Sequence, residues 1–107
     1  MVQKITDENF QTKVLNNENI AVVIFAEKWN AGSDFLERHL NDLDITFNNR
    51  ISVFKIDIDQ NKKVIENFMI YEFPATLIFK AGELIEIYSG LYSRKKILNL
   101  IEYHLNN

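Results

Sequence analysis

The chain of 107 residues contains no cysteine. That absence removes a disulfide framework, thiolate zinc and iron–sulfur sites, a thiol nucleophile and a dithiol redox couple together. Proline occurs once, at Pro74, and glycine three times, at Gly32, Gly82 and Gly90, so linkers and low-complexity tracts have nothing to be built from. Basic charge is not in excess: 12 Lys and Arg stand against 15 Asp and Glu, a net charge of −3, scattered along the chain. No nucleic-acid footprint and no site for an anionic membrane follows from that pattern. Long apolar runs are missing too, since the longest, Ile20 to Ala26, is far short of the roughly 20 residues that cross a bilayer. The N-terminus turns polar at Gln3-Lys4 and again at Thr6-Asp7-Glu8, without the apolar stretch of a signal peptide. The expectation is a cytoplasmic protein that binds neither nucleic acid nor membrane.

What the chain does have is 47% hydrophobic and 12% aromatic residues, enough for one core and a single domain over residues 1–107. A short strand near Val2 to Ile5 opens it. Thr6 or Asp7 can cap a first helix that carries Phe10 and Val14 inward and stops in Asn16-Asn17-Glu18-Asn19. Ile20 to Ala26 is continuous and apolar, the pattern of a central strand covered on both faces and parallel to its neighbours. Leu36, Leu40, Leu43 and Phe47 draw one stripe on a long helix from about Ser33 to Phe47. Ile51 to Asp59 is β-branched and alternating, a strand. Asn61 to Phe68 supports a shorter helix. Ala75 to Lys80 and Glu83 to Tyr88 flank Ala81-Gly82 and predict a hairpin. A last helix from about Ser93 to Leu105 turns Ile97, Leu100, Ile101 and Leu105 to one side, with Ser93 as its cap. The order β-α-β-α-β-α-β-β-α predicts an α/β fold, a mixed central β-sheet flanked by helices on both faces.

Parallel sheets place functional loops beyond the carboxyl ends of their strands, which singles out Glu27-Lys28-Trp29-Asn30-Ala31-Gly32-Ser33. The helix that follows directs unpaired amides at this loop, and Asn30 has the side chain to cap them. Other chemistry finds little support. His39 and His104 have no second ligand at a recognisable spacing, so no metal and no cofactor is expected. Asp57 and Asp59, two apart, share one strand face but lack a histidine or hydroxyl partner, and read as a solvated strand end. Ser33 as a nucleophile has no base in view.

The stretch Ala26 to Ser33, then Phe54-Lys55-Ile56-Asp57-Ile58-Asp59-Gln60-Asn61, then Phe73-Pro74-Ala75-Thr76-Leu77-Ile78-Phe79-Lys80-Ala81-Gly82-Glu83, and finally Gly90, closely resembles the thioredoxin family over essentially the whole chain. The resemblance implies the thioredoxin fold. It also implies that Asn30 and Ser33 stand where the family has the two cysteines of Trp-Cys-Gly-Pro-Cys, leaving no catalytic residue. Disulfide exchange needs a thiolate and a resolving thiol, and an amide and an unactivated hydroxyl replace neither. Ile24 aligns with the family's buried aspartate, and Lys55 with a lysine beside that acid, here without an evident partner beyond a surface ion pair.

What the resemblance retains is the partner-facing surface. Phe73-Pro74 would match the family's cis-proline, where an extended substrate segment pairs with the backbone. The partner-binding residues expected from it are Trp29, Ala31, Gly32, Phe73, Pro74, Gly90, Leu91 and Tyr92, an aromatic and apolar patch. The resulting expectation is a redox-inactive module, protein-binding or chaperone-like, that holds an extended segment of a protein partner and is a monomer by default. The alternative is a thioredoxin-type protein disulfide oxidoreductase represented by a cysteine-free variant, and a third is a subunit of a larger assembly.

Overall fold

A computed structural model describes residues 1–107. Five strands, β1 (Gln3–Ile5), β2 (Ile20–Ala26), β3 (Ile51–Asp57), β4 (Ala75–Lys80) and β5 (Glu83–Ser89), form one sheet in the order β1-β3-β2-β4-β5. Three α-helices, α1 (Ala31–Thr46), α2 (Lys62–Phe68) and α3 (Arg94–Asn106), and a π-helical segment at Gln11–Leu15 cover it. β1 and β2 run parallel to β3, whereas β4 is antiparallel to both β2 and β5.

Helix length explains this mixture, and corrects the expectation that β2 is parallel to all its neighbours. α1 has 16 residues, about 24 Å of rise, enough to carry the chain back along a seven-residue strand of about 23 Å. β3 therefore starts at the same end as β2. α2 has seven residues, about 10 Å, and leaves the chain near the end where β3 finished. β4 has to run the other way. The connection to β5 is tight: Ala81 and Gly82 both take positive φ, 51° and 81°, the conformation of a two-residue hairpin whose twist suits the strands.

The core divides along the sheet. Ile20, Val22 and Ile24 of β2 pack with Leu36, Leu40 and Leu43 of α1 and with Ile97 and Ile101 of α3. Ala21, Val23 and Phe25 face the other side, with Phe10, Val14, Val64, Leu77 and Phe79. Helical elements thus lie on both faces, and every residue of β2 from Ile20 to Phe25 is buried.

The first helix departs from expectation. Thr6 to Asn9 forms a turn, in which Asn9 Oδ1 accepts from Thr6 N at 2.7 Å, and the helical segment has the wider hydrogen bonding of Asn16 N to Gln11 O at 2.8 Å. Phe10 and Val14 still point inward. Asp7 caps a different helix: its carboxylate accepts from Val64 N at 3.0 Å and Lys63 N at 3.3 Å, in the first turn of α2. Asn61 secures the junction by accepting from Asp7 N and donating to Asp57 O, both at 2.8 Å. β3 ends at Asp57, two residues early, because the Asp57 side chain accepts from Asp59 N at 2.8 Å and turns the chain. Asp57 is buried and Asp59 lies outside the strand, so the two do not form a solvated pair on one face. α1 starts at Ala31, two residues before the expected Ser33, with Asn30 as cap. β5 extends one residue further than expected, to Ser89, and α3 follows the Ser93 cap, whose hydroxyl accepts from Lys96 N at 3.1 Å.

Asp7→Ala removes a cap made across more than fifty residues of sequence, and is expected to cost about 1 kcal/mol, within the usual range for a lost helix cap. Urea unfolding of the two proteins measures it; an unchanged midpoint would show that water replaces the carboxylate without loss.

Candidate functional site

β2 delivers the chain to the loop Glu27–Asn30 and directly into α1. The first amides of α1 have no partners within the helix, and Asn30 supplies one: its Oδ1 accepts from Gly32 N at 2.8 Å and from Ser33 N at 3.3 Å. The NH2 of the same side chain donates to Glu27 Oε1 at 2.9 Å, which fixes the orientation that turns the oxygen toward the helix. Ser33 is buried, and its Oγ accepts from Glu27 N at 3.1 Å. Both residues thus serve as local struts of the loop, Asn30 in the capping role read from the sequence. No side-chain base is hydrogen-bonded to Ser33, and with no thiol in the chain none of its own groups can run disulfide exchange.

Opposite the loop, the Phe73–Pro74 peptide bond is cis. Pro74 is buried at the start of β4, and its carbonyl accepts from Gly90 N at 2.8 Å. Pro74 has no N–H to return, and the Gly90 carbonyl accepts no hydrogen bond. Neither the N–H nor the C=O of Phe73 is paired within the chain. Gly90 takes φ 82°, and a Cβ there would meet nothing within 4 Å, so the backbone lies open at this point.

The elements bring Gly32, Pro74 and Leu91 together. A Cβ placed on Gly32 would lie 3.2 Å from Leu91 Cδ2 and 3.6 Å from Pro74 Cδ, and 3.0 Å from Asn30 Oδ1. Leu91 is 62% exposed and Ala31 is also exposed. Trp29, at φ 62°, is 100% exposed and stands clear of the others. Phe73 is half-buried and packs against the core on the α2 side. Tyr92 corrects the expected patch: it is buried, and its hydroxyl shares a 3.0 Å hydrogen bond with Thr76 Oγ1 beneath the site. A ring whose polar tip finds a buried partner is drawn inward.

Ile24 is wholly buried, between Lys55 of β3 and Thr76 of β4. Lys55 makes an ion pair with Glu37 of α1, the partner that sequence reasoning missed. Glu37 could have been found by noting that it lies one turn beyond Ser33 on the helix facing that strand. Behind the loop these groups open onto a cleft of about 450 Å³, lined by Lys4, Ser33, Asp34, Glu37, Lys55 and Asp57 among others, with charges of both signs. His39 and His104 lie apart, on α1 and α3. No cluster of three or more His, Cys, Asp or Glu side chains suited to a metal occurs, and no helix is long and apolar enough to cross a membrane.

A five-stranded mixed sheet, a loop leading into a long capped helix and a cis-proline facing that loop define the thioredoxin architecture. The thioredoxin family model matches residues 1–103, and the chain belongs to that family. It is 25% identical to a thioredoxin of Staphylococcus saprophyticus over 97% of this chain and 98% of the relative. It is 27% identical to a thioredoxin of Rickettsia typhi over 94% of this chain and 96% of the relative. Thioredoxin C-2 of Corynebacterium nephridii is 29% identical, over 94% and 93%.

Burial pushes the Tyr92 phenol up from 10.0 to about 12, outweighing the hydrogen bond from Thr76, which acts to lower it. The fold thus favours the neutral phenol. The corresponding stability is fully present below pH 10.0 and is lost as pH rises toward about 12. Urea midpoints of the wild type should fall across that window more steeply than those of Tyr92→Phe; parallel curves would show that Tyr92 does not couple to folding.

Proposed function

We propose that this protein is a redox-inactive member of its family, a protein-binding or chaperone-like module of the cytoplasm, which holds an extended segment of a partner against Phe73-Pro74 and Gly90. The observation that carries this reading is the unpaired backbone: the N–H and C=O of Phe73 and the C=O of Gly90 are free, with exposed Leu91 following Gly90 in the chain and exposed Ala31 and Trp29 on the facing loop. An extended segment can satisfy those groups by strand addition, which requires no side-chain chemistry of the site. Gly32 and Pro74 form the floor, Leu91 and Trp29 supply apolar contact, and Tyr92 supports the floor from below.

Trp29 is the only tryptophan, so its fluorescence reports the site directly. Titration with a reduced, alkylated unfolded polypeptide is expected to shift that emission. Phe73→Ala or Leu91→Ala should weaken binding about tenfold, as loss of a central interface contact does. Binding undiminished in both variants would remove this surface from consideration. Insulin disulfides should be reduced no faster than in a blank without protein; turnover above the blank would overturn the redox-inactive reading independently of any binding result.

A further inference from the structure

The sheet has two edges, three-residue β1 and seven-residue β5, and β5 offers the longer ladder. Ile85 is an extra residue in β5, since Ile78 pairs with Glu86 and Phe79 with Leu84. That bulge spoils the first half of the edge and leaves Glu86 to Ser89 regular. The direction of its backbone groups follows from one bond. Gly90 N donates to Pro74 O, and hydrogen-bonded pairs alternate in an antiparallel ladder, so Tyr88 and Glu86 also turn their amides toward β4. Ile87 and Ser89 then direct N–H and C=O outward at the free edge. Neither lysine nor proline, the usual protection of an edge, occurs in β5.

We propose that this edge pairs with the same edge of a second copy of the chain, antiparallel about a twofold axis at Tyr88, so that Ile87 of each copy faces Ser89 of the other. This register is the one that uses both outward residues without recruiting the bulged Ile85 or Leu91, which lies beyond the strand. It makes two hydrogen-bonded pairs, each exchanging two bonds. Ile87, 51% exposed, and Ser89 border a shallow groove of about 190 Å³ with exposed Met69 and Tyr71, and Ile87 of the second copy stands at its mouth.

Charge selects a second copy as the occupant. On the other face of the strand, Lys96 Nζ lies 4.9 Å from the centre of the Tyr88 ring. In the proposed register Glu86 of each copy lies diagonal to Tyr88 of the other, within reach of that ammonium. A twofold axis at Glu86 would instead oppose two carboxylates. The contact is isologous and closed, giving a dimer and no fibre.

Light scattering on the full chain, from low micromolar to millimolar concentration, should show a mass rising from 12.6 kDa toward twice that value. Ile87→Lys, at a half-exposed position, should keep the circular dichroism of the fold and raise the dimer dissociation constant about tenfold or more. Glu86→Lys and Lys96→Glu should each weaken the dimer, and the double variant should restore it. A folded wild type that stays monomeric at every concentration overturns the proposal. So does a dimer insensitive to Ile87→Lys, or one that the double charge exchange fails to restore.

Discussion

Everything in this molecule is arranged around a strand that cannot touch water. β2 is buried from Ile20 to Phe25, hydrogen-bonded to β3 on one side and β4 on the other, with α1 and α3 above and α2 and the π-helical segment below. A continuous apolar strand is stable only when both faces are covered, so the helices are required rather than decorative. The strand ends where its cover ends. At Ala26, whose carbonyl accepts from Ile58 N at 3.1 Å, the chain leaves the sheet and meets the start of α1. The position of the loop is thus set by the core, and its chemistry by whichever side chains occupy it.

In this chain those side chains satisfy the helix from within. A helix start gathers unpaired amides and partial positive charge, a setting that lowers the pKa of a thiol placed there. Asn30 occupies it with a neutral acceptor that is itself held by Glu27, and Ser33 turns its hydroxyl to the Glu27 amide. The amides of Gly32, Ser33 and Asp34 are spent on Asn30. Across the gap the opposite holds: Phe73 and Gly90 keep backbone groups that nothing in the chain satisfies, and such groups remain stable because they stand at the surface, where water can serve them.

Much of the fold was legible because period and burial agree: the apolar run of β2, the four-three-four stripe of α1 and the Ala81-Gly82 turn each follow from local rules. The antiparallel entry of β4 was not, since it depends on the length of α2 relative to the strands. Asp7 misled because a good cap residue does not reveal which helix it caps, and its target lies more than fifty residues away. At the site, the capping role of Asn30 was readable from position alone. The burial of Tyr92 was not, because it depends on a hydrogen bond to Thr76, a hydroxyl sixteen residues away that only the folded chain brings beside it.

Ile24 and Lys55 show what the interior beneath the loop demands of its charges. A carboxylate at the Ile24 position would have to be desolvated at considerable cost, a cost worth bearing only if it titrates in the service of a neighbour. With an isoleucine there, Lys55 needs another counter-charge, and Glu37 provides it across the half-exposed edge of the cleft, where an isolated pair is worth at most about 1 kcal/mol. Neither Asn30 nor Ser33 nor Ile24 titrates or exchanges electrons in water at neutral pH, so the redox potential of the surroundings has no group in this loop to act on.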